Sequence, residues 1–311
     1  MAEVNDSSAA SAQKKVAIGL LLAVLGAIAF SGKAIIVKLA YRYGVDAVTL
    51  LMYRMLFALP VFLLMAWWAG RDQARLTRKD WLGVLGLGFS GYYLASYLDF
   101  AGLAYITAAL ERLILYLNPT LVVILGWAVY KRGITWGQFV GMLISYGGVL
   151  LVFGHEVGSQ GAHAAWGALL VFGSAVSYAV YMVYSGEMVK RLGSLRLVGW
   201  ASSVACFFCI AQFLMTHPLS AMQVAPQVLW LSLLNSTLCT VAPVLMVMMA
   251  IERIGPGMTA QTGMIGPLST ILMGVWLLDE QLNVFMVAGT CLVMVGIFVF
   301  TRWAKKSGGA K

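Results

Sequence analysis

The two halves of this chain carry the same helix-interrupting residues at a constant offset of 148 positions. The matched residues are Pro119 and Pro267, Gly126 and Gly274, Gly141 and Gly289, and Gly148 and Gly296. At the same offset, the connection that contains Lys131 corresponds to one that contains Asp279, so the loop charge changes sign. A duplicated unit with opposite loop charges indicates two copies inserted upside down relative to each other, as in membrane proteins built from inverted repeats.

The composition is that of a membrane protein. Apolar residues make up 61% of the 311 positions and charged residues 11%, and the mean hydropathy is +0.87. Soluble domains contain roughly 45–50% apolar and about 25% charged residues. The net charge of +9 does not indicate nucleic-acid binding, because the basic residues lie in short loops between apolar runs.

Ten apolar runs approach the roughly 20 residues that a helix needs to cross the hydrocarbon core. They lie at 16–40, 48–69, 81–99, 104–130, 136–154, 165–188, 197–216, 227–250, 257–278 and 284–302. Backbone groups in lipid must be hydrogen-bonded within the segment, so these runs are expected to be helices. The predicted fold is an all-α membrane protein with ten transmembrane helices, in two inverted five-helix repeats around a central cavity.

The distribution of Lys and Arg predicts the orientation. With the N-terminus in the cytoplasm, sixteen Lys and Arg residues lie in inside segments, and two, Lys38 and Arg42, lie outside. Five spans per repeat is an odd number, which forces the second copy to be inverted. The predicted organisation is a cytoplasmic tail at 1–15, a first repeat at 16–154, an extracytoplasmic linker at 155–164, a second repeat at 165–302, and a cytoplasmic tail at 303–311.

Motifs for catalysis or metal binding are not found. His155, His163 and His217 lack metal-ligand spacing. The glycine pattern at 86–91 matches a dinucleotide fingerprint, but it lies inside a span and no strand precedes it. The sequence therefore predicts that the protein is not an enzyme and uses neither a metal nor a cofactor.

Pro119 and Pro267 occupy equivalent positions within the predicted fourth and ninth spans. A proline inside a helix removes a backbone hydrogen bond and bends the axis. Two interpretations stay open at this point: a gating role for both prolines, or kinks that serve packing alone.

Charged residues inside spans need a partner or a wet cavity, because an isolated charge in lipid is costly. Lys33 lies in the first span, Arg54 in the second, and Glu111 and Arg112 in the fourth. We predict that Glu111 pairs with Lys33 or Arg54 across the bundle. The alternative is that these groups lie near the outer rim and extend their charged ends to water.

Polar and aromatic residues deep in the spans are the candidates for a substrate site. The predicted binding residues are Tyr93, Ser96, Tyr97, Glu111, Tyr116, Asn118, Tyr178, Tyr181, Asn235 and Gln261. Tyrosine combines an apolar face with a hydroxyl group and attracts ammonium groups. Such a pocket suits a small zwitterion or an organic cation. The alternative is an interfacial aromatic belt with ordinary helix packing.

Ordered motifs resemble those of a known transporter group. The motifs of the first half are Phe30-Ser-Gly-Lys-Ala34, Lys38, Tyr53-Arg54, the run Ala101-Gly-Leu-Ala-Tyr-Ile-Thr-Ala108, and Asn118-Pro119. Those of the second half are Ile254-Gly-Pro-Gly-Met258, Gly266-Pro267, Leu278-Asp-Glu-Gln-Leu282, Gly289 and Gly296. Over nearly its whole length, the chain resembles the drug/metabolite transporter superfamily in its EamA-type branch. One departure is Lys131-Arg132, where that branch usually has an acidic Glu-Arg pair.

The resemblance implies a ten-helix exporter of the bacterial inner membrane that works by alternating access and is functional as a monomer. The tyrosine-rich centre is most similar to exporters of aromatic and other neutral amino acids, which also remove cationic toxicants. The expected partners are the lipid bilayer, a small-molecule substrate and, for uphill transport, protons or another coupling ion; nucleic acid is not expected.

Other functions rank lower. An exchanger or importer of nucleotide sugars or sugar phosphates would need more inward-facing cations than the three deep ones. An intramembrane enzyme acting on lipid would show converging acid, base or metal groups, and a scaffold would not retain deep polar residues.

Overall fold

In the computed structural model, the described residues, 2–71, 73–131 and 133–308, form helices joined by short turns, without strands. Side chains are described for these residues except 2–12, 14, 130, 159–160, 187, 248, 251–252, 255–257, 260–261, 264 and 303–308. The α-helices are α1 (Ala2–Tyr41), α2 (Ala47–Gly70), α3 (Arg78–Leu87), α4 (Ala95–Leu103), α5 (Ala108–Leu115), α6 (Asn118–Tyr130), α7 (Trp136–Gln160), α8 (Ala162–Leu192), α9 (Ser194–Thr216), α10 (Pro226–Ser236), α11 (Ala242–Thr262), α12 (Gly266–Leu278) and α13 (Val284–Gly308).

Eight helical stretches in the described part of the chain are long and apolar enough to cross a membrane. They are Lys15–Tyr41, Ala47–Gly70, Ala108–Val129, Trp136–Gly158, Ala162–Gly186, Ser194–Thr216, Pro226–Val247 and Val284–Arg302. Gly266–Leu278 is a shorter apolar helix, and the predicted third span at 81–99 is divided between two α-helices and a π-helical segment. The all-helical class is confirmed, whereas the count of ten spans stays a prediction.

Two π-helical segments interrupt the bundle at equivalent positions of the two halves. The first covers Gly88–Leu94, between α3 and α4, and the second covers Thr237–Val241, between α10 and α11. An offset of 148 carries the first segment onto 236–242, so the two coincide within a residue. Such wide turns are frequent at functional sites. The internal repeat therefore includes the π-helical segments, a backbone feature that no residue type predicts.

Both repeat prolines begin a helix. Pro119 lies in the first turn of α6, after a break that follows α5. Pro267 lies in the first turn of α12, after a 3₁₀ turn at Gly263–Ile265. Neither proline removes a hydrogen bond inside a continuous helix, because a first-turn N–H has no partner within the helix in any case, and the gating role of both prolines stays a prediction. Each proline instead lies where one helical segment ends and the next helix begins.

Helices α7 and α13 pack against each other through glycines related by the repeat. A Cβ atom on Gly141 would lie 2.7 Å from the carbonyl oxygen of Gly296, and one on Gly148 would lie 2.6 Å from that of Gly289. The offset of 148 turns the first pair into the second. Because the order along α7 is reversed along α13, the helices run antiparallel about a pseudo-two-fold axis. Inverted repeats require this relation.

The first helix of each half packs on the other half. A Cβ on Gly19 of α1 would lie 2.5 Å from the Ile254 side chain of α11, and one on Gly167 of α8 would lie 2.9 Å from that of Ile106. Ile106 and Ile254 are themselves 148 positions apart. The two halves therefore interlock, and the space between them is enclosed by both.

Several predicted boundaries differ from the helix ends. Helix α7 continues to Gln160 and α8 starts at Ala162, so the predicted linker at 155–164 reduces to a turn at Gly161. Helix α1 begins at Ala2, within the predicted tail, and α11 covers the predicted connection at 251–256. Charged residues end an apolar run, but they do not end helical hydrogen bonding, so the two kinds of boundary need not agree.

Candidate functional site

A cavity of about 350 Å³ lies between the two halves. It is lined by Phe30, Lys33, Arg54, Met55, Phe62, Gly91, Tyr92, Ala95, Ser96, Asp99, Arg112, Leu115, Tyr116, Asn118, Ser174, Tyr178, Ser202, Thr240 and Val244. Both halves contribute, and both π-helical segments reach it, through Gly91 and Thr240. The cavity therefore lies where the repeats meet and where the helices are irregular.

Lys33 links two carboxylates at one side of the cavity. Its Nζ lies 2.5 Å from Asp99 Oδ2 and 3.3 Å from Glu111 Oε1. The predicted pairing of Glu111 with Lys33 is confirmed, and Arg54 instead donates to Thr240 Oγ1 at 2.9 Å. Glu111 is 0% exposed, which rules out the alternative of an outer rim position. Three ionisable groups thus share one buried site.

The fixed position of Glu111 follows from the start of its helix. The Thr107 side chain accepts a hydrogen bond from Leu110 N at 3.1 Å and caps α5. At the same end, Glu280 Oε1 accepts one from Ala108 N at 2.9 Å. Acidic groups are favourable at a helix N-terminus. The second half therefore holds the short helix that carries Glu111.

Carboxylate oxygens in this site lack hydrogen-bond donors. Asp99 Oδ1 and both oxygens of Glu111 have no hydrogen-bond partner among the described residues. Lys33 meets Glu111 only as an ion pair. Buried polar atoms are nearly always hydrogen-bonded, because leaving one without a partner costs about 1–3 kcal/mol. Three buried carboxylate oxygens beside the cavity therefore keep unused acceptor capacity.

Arg54 lines the same cavity and has one buried donor that is unused. Its guanidinium lies 5.2 Å from the centroid of the Phe100 ring, and Nη1 has no hydrogen-bond partner in the described part of the chain. Thr240, which accepts from Arg54 Nε, donates in turn to Asn235 O at 2.8 Å. That bond spans five residues and belongs to the π-helical segment. The irregular turn thus positions the group that orients Arg54.

Arg112 makes contacts with uncharged groups. Its Nε donates to Thr270 Oγ1 at 3.1 Å and its Nη2 donates to Phe30 O at 2.9 Å. The guanidinium lies 5.4 Å from the centroid of the Phe30 ring. Arg112 is thereby held between α1 and α12, and among the described residues it forms no ion pair with an acidic group, so its charge contributes to the potential of the cavity.

Aromatic side chains form the remaining wall. The hydroxyl groups of Tyr92 and Tyr181 lie 3.2 Å apart, and the rings of Tyr178 and Tyr181 are stacked with centroids 5.6 Å apart. Tyr116 donates to Gly263 O at 2.7 Å. Because these hydroxyls already have partners inside the protein, the wall offers ring faces to a ligand.

The structure brings six of the predicted residues to the cavity and places others elsewhere. Those at the cavity are Lys33, Arg54, Ser96, Tyr116, Asn118 and Tyr178. Asn118 Oδ1 is buried and has no hydrogen-bond partner among the residues whose side chains are described. Glu111 lies behind Lys33, and Tyr181 lies behind Tyr92.

Three more of the predicted residues, Tyr93, Tyr97 and Asn235, do not line the cavity. Tyr93 packs between Phe89 and Phe208, because it is adjacent to Tyr92 and points about 100° away from it. Tyr97 lines a separate depression near Tyr41. Asn235 is fully buried, and its backbone carbonyl supports Thr240. The Gln261 side chain lies outside the described residues.

Asp99, Tyr92 and Arg112 also line the cavity, although none of them is among the predicted binding residues. Asp99 lies at the boundary of a predicted span, where an acidic residue is expected to reach water. One signal was present: Tyr92, Ser96 and Asp99 are spaced at i, i+4 and i+7, which places them on one helix face. The cavity lies against that face.

Polar contacts join the two halves near both ends of the bundle. Near the end of α1, Arg42 Nη2 donates to Leu278 O at 2.9 Å. At the opposite end, Arg191 Nη2 lies 2.9 Å from Asp80 Oδ2. Hydrogen bonds from the side chain and backbone of Thr77, together with Arg191, hold the pKa of Asp80 below its usual value. Each end therefore has a polar contact that opening would break.

Comparison with known proteins identifies the architecture. The sequence model of the EamA-like transporter family matches residues 17–154 and, a second time, residues 165–302. A protein of known crystal structure superposes with a TM-score of 0.63 at 17% identity, covering 93% of this chain and 98% of the other. At that identity the likeness concerns the fold alone.

Curated relatives come from bacteria, archaea and plants. The uncharacterized transporter YcbK of Bacillus subtilis is 29% identical over 287 residues, covering 89% of this chain and 90% of YcbK. An uncharacterized transporter of Archaeoglobus fulgidus is 25% identical, with 90% and 96% covered. A WAT1-related protein of Arabidopsis thaliana is 24% identical, with 89% and 87% covered. These names support a transporter and leave the substrate open.

Proposed function

The chain belongs to the EamA-like transporter family, and from that premise we propose that it exports small neutral amino acids, aromatic ones foremost, by alternating access. One observation carries the proposal. Arg54 and Asp99 line the same cavity, and Arg54 Nη1 and Asp99 Oδ1 are buried and lack hydrogen-bond partners among the described residues. An α-amino acid has a carboxylate for the first and an ammonium for the second. Binding would supply both missing partners, which favours this substrate class.

The size and wall of the cavity support an apolar side chain on the substrate. A volume of about 350 Å³ lies at the small end of the roughly 300–1,000 Å³ typical of ligand sites. Phe30, Tyr92 and Tyr178 line it, and aromatic faces favour apolar and aromatic groups. Lys33, Arg54 and Arg112 outnumber the two carboxylates, which disfavours organic cations. The same two carboxylates disfavour phosphorylated sugars, which remain the second candidate.

The inverted repeats supply a mechanism for alternating access. The cavity lies between two interlocked halves of opposite orientation, and a polar contact joins the halves near each end. Rocking of the halves would break the contact of Arg42 at one end and that of Arg191 at the other in turn. We expect the helix axes to change angle at two kinds of point. These are the helix starts at Pro119 and Pro267, and the two π-helical segments. In this proposal ten spans place both termini in the cytoplasm of a bacterium, and one chain suffices.

Counterflow in liposomes tests this function. Purified protein is reconstituted with unlabelled phenylalanine inside, and uptake of labelled phenylalanine, tryptophan, methionine and threonine is measured. A nucleotide sugar, a sugar phosphate and a quaternary dication are tested alongside. We expect flux of the neutral amino acids, fastest for the aromatic ones, and its loss in Arg54→Gln. Flux of phosphorylated sugars alone would establish the second candidate, and no flux of any solute would reject the proposal.

A further inference from the structure

A second hollow lies apart from the central cavity, at the end of the bundle where α2 begins and α4 ends. Its volume is about 500 Å³. Its lining includes one carboxylate, from Asp46, and four aromatic rings, from Tyr41, Tyr97, Tyr105 and Trp166. We name it the aromatic depression. Both repeats contribute to its walls, because α8, which carries Trp166, belongs to the second half.

Helix α4 separates the aromatic depression from the central cavity. Tyr97, Ala101 and Ala104 line the depression and are spaced at i, i+4 and i+7, so they lie on one face of the helix. Ser96 and Asp99 line the central cavity. Because each residue turns the helix by about 100°, Tyr97 and Asp99 point about 160° apart. The aromatic depression therefore lies on the face of α4 that is turned away from the central cavity.

The aromatic depression has the depth of the boundary between lipid headgroups and acyl chains. It extends along α4 from Ala104, which follows the helix end, to Tyr97, which is about 10 Å deeper at about 1.5 Å per residue. A headgroup layer is roughly 5–7 Å thick on each side of the hydrocarbon core. Trp166 is 53% exposed and Tyr105 is 39% exposed, and both residue types favour this boundary. The occupant is therefore expected to come from the bilayer.

Asp46 is the one charged residue that lines the aromatic depression within the described part of the chain. Its Oδ1 accepts from Val48 N at 2.8 Å and from Thr49 N at 3.1 Å, and its Oδ2 accepts from Thr49 Oγ1 at 2.5 Å. The side chain is 48% exposed, and His217 Nε2 lies 3.5 Å from Oδ1. An ionised carboxylate has about four acceptor sites, so Oδ2 keeps one for an ammonium group.

The aromatic residues complement both ends of a zwitterionic headgroup. Ring faces attract an ammonium group within about 6 Å. Tyr41 donates its hydroxyl hydrogen to Phe100 O at 2.5 Å, whereas the hydroxyls of Tyr97 and Tyr105 donate to no group among the described residues. These two hydroxyls can donate to phosphate oxygens. No cationic side chain of the described residues lines the depression, so an anionic headgroup would meet Asp46 without a compensating charge.

The fold itself does not require the acid and the rings. At an offset of 148, Asp46, Tyr97, Tyr105 and Trp166 correspond to Ser194, Leu245, Arg253 and Ile18. The repeat-related positions at the other end of the bundle therefore carry neither an acidic group nor an aromatic ring. Because the two repeats share one backbone plan, the acid and the rings belong to a property of one end alone.

We propose that the aromatic depression binds a phospholipid whose headgroup ends in a primary ammonium group, as in phosphatidylethanolamine. The ammonium donates to Asp46 Oδ2, the phosphate accepts from Tyr97 and Tyr105, and the acyl chains extend along Trp166. The lipid then contacts both repeats, so its binding should stabilise the packing of α2, α4 and α8. The inference does not depend on the transported substrate.

Native mass spectrometry of the full-length protein tests this site. Delipidated protein in detergent receives equal amounts of palmitoyl-oleoyl phosphatidylethanolamine and phosphatidylglycerol, which share their acyl chains and their phosphate. We expect the wild type to retain the ethanolamine lipid about two- to fivefold more than the glycerol lipid, which is the effect of a half-exposed ion pair. The ethanolamine lipid should also raise the unfolding temperature more.

Matched variants separate the ammonium contact from the phosphate contact. Asp46→Asn removes the charge and should still cap α2, since Asn and Asp are equally good helix caps. It should bind both lipids equally. Tyr105→Phe keeps the ring and loses the hydroxyl, so it should weaken both lipids to the same extent. The control is Asp279→Asn, at an exposed carboxylate outside the depression, which should keep the wild-type preference.

Equal retention of both lipids by the wild type, or a preference that survives in Asp46→Asn, would overturn the proposal. If Asp46→Asn fails to fold, cross-linking of the wild type decides. Phosphatidylethanolamine with a photoreactive group in its acyl chain, next to the ester, should label peptides that contain Tyr105 or Trp166. Even labelling of all spans would contradict the site. Failure of amino acid flux rejects the proposed function and leaves these results unchanged.

Discussion

Lys131 and Asp279 adopt the same left-handed backbone conformation 148 positions apart, with φ of 51° and 60°. They follow α6 and α12 directly, and they are the two non-glycine residues with positive φ among the described ones. The two repeats therefore share one turn conformation, but the residue at that turn carries a positive charge in the first repeat and a negative charge in the second. Because basic loops stay in the cytoplasm, equal geometry with opposite sign is the pattern that two inverted copies produce.

Labelling of these two turns tests the inversion. Lys131→Cys and Asp279→Cys are made singly in a Cys291→Ser background, because Cys291 is the exposed native thiol among those described. A membrane-impermeant thiol reagent should modify position 131 only in inverted vesicles and position 279 only in right-side-out vesicles. Modification of both positions from the same side would contradict the inverted topology.

Gly148→Ala should destabilise the contact between α7 and α13. The added methyl group would lie 2.6 Å from Gly289 O and 2.9 Å from Val293 N, both backbone atoms that cannot move alone. Overpacking of this kind costs about 1–3 kcal/mol, so the unfolding temperature in detergent should fall. Gly147→Ala is the control, because a Cβ there meets nothing within 4 Å. Equal unfolding temperatures for both variants would contradict the close crossing.

Asp80→Asn should lower stability at neutral pH and have little effect in acid. Asp80 accepts hydrogen bonds from Thr77 and pairs with Arg191, and these contacts depress the pKa of its carboxyl group. A depressed pKa stabilises the fold above the unfolded-state value of about 3.9, and the effect is lost as pH falls through the folded-state value. Thermal unfolding at several pH values measures the difference between wild type and variant.

The control for this titration is Asp279→Asn, since the Asp279 side chain is 89% exposed and 4.0 Å from Arg42. It should change stability little at any pH. A pH-independent difference for Asp80→Asn would show that shape rather than charge links α3 to α8.

The sequence predicted the features that charge and helix breakers specify. These features are the repeat, its inversion and the pairing of Lys33 with Glu111. They could be predicted because an unbonded backbone group or an unpaired charge is costly in lipid. It did not predict which of two adjacent tyrosines faces the cavity. A helix in lipid is apolar on every side, so Tyr92 and Tyr93 carry no amphipathic signal that separates inside from outside.

The π-helical segments and the place of Asp99 in the site could not be predicted from charge and helix breakers. The π-helical segments depend on five-residue backbone spacing such as that between Asn235 and Thr240, which no residue type specifies. Asp99 lies where hydropathy ends a span, although α4 continues to Leu103. Its partner Lys33 comes from a helix 66 positions earlier, and only the assembled bundle brings the two together.

The most direct test of the account compares the binding of three ligands of the same shape. Phenylalanine has both charged groups, phenethylamine lacks the carboxylate, and 3-phenylpropionate lacks the ammonium. A hydrogen bond to a charged group contributes about 1.5–3 kcal/mol, so phenylalanine should bind at least about tenfold more tightly than either analogue. Affinities are measured by titration calorimetry for wild type, Arg54→Gln and Asp99→Asn, with Arg42→Gln as the exposed control.

We predict that Arg54→Gln removes the preference for phenylalanine over phenethylamine and keeps the preference over 3-phenylpropionate. Asp99→Asn should do the converse, and Arg42→Gln should change neither. Equal affinity of the wild type for all three ligands, or equal weakening of all three by Arg54→Gln, would contradict recognition of the amino acid by these two residues.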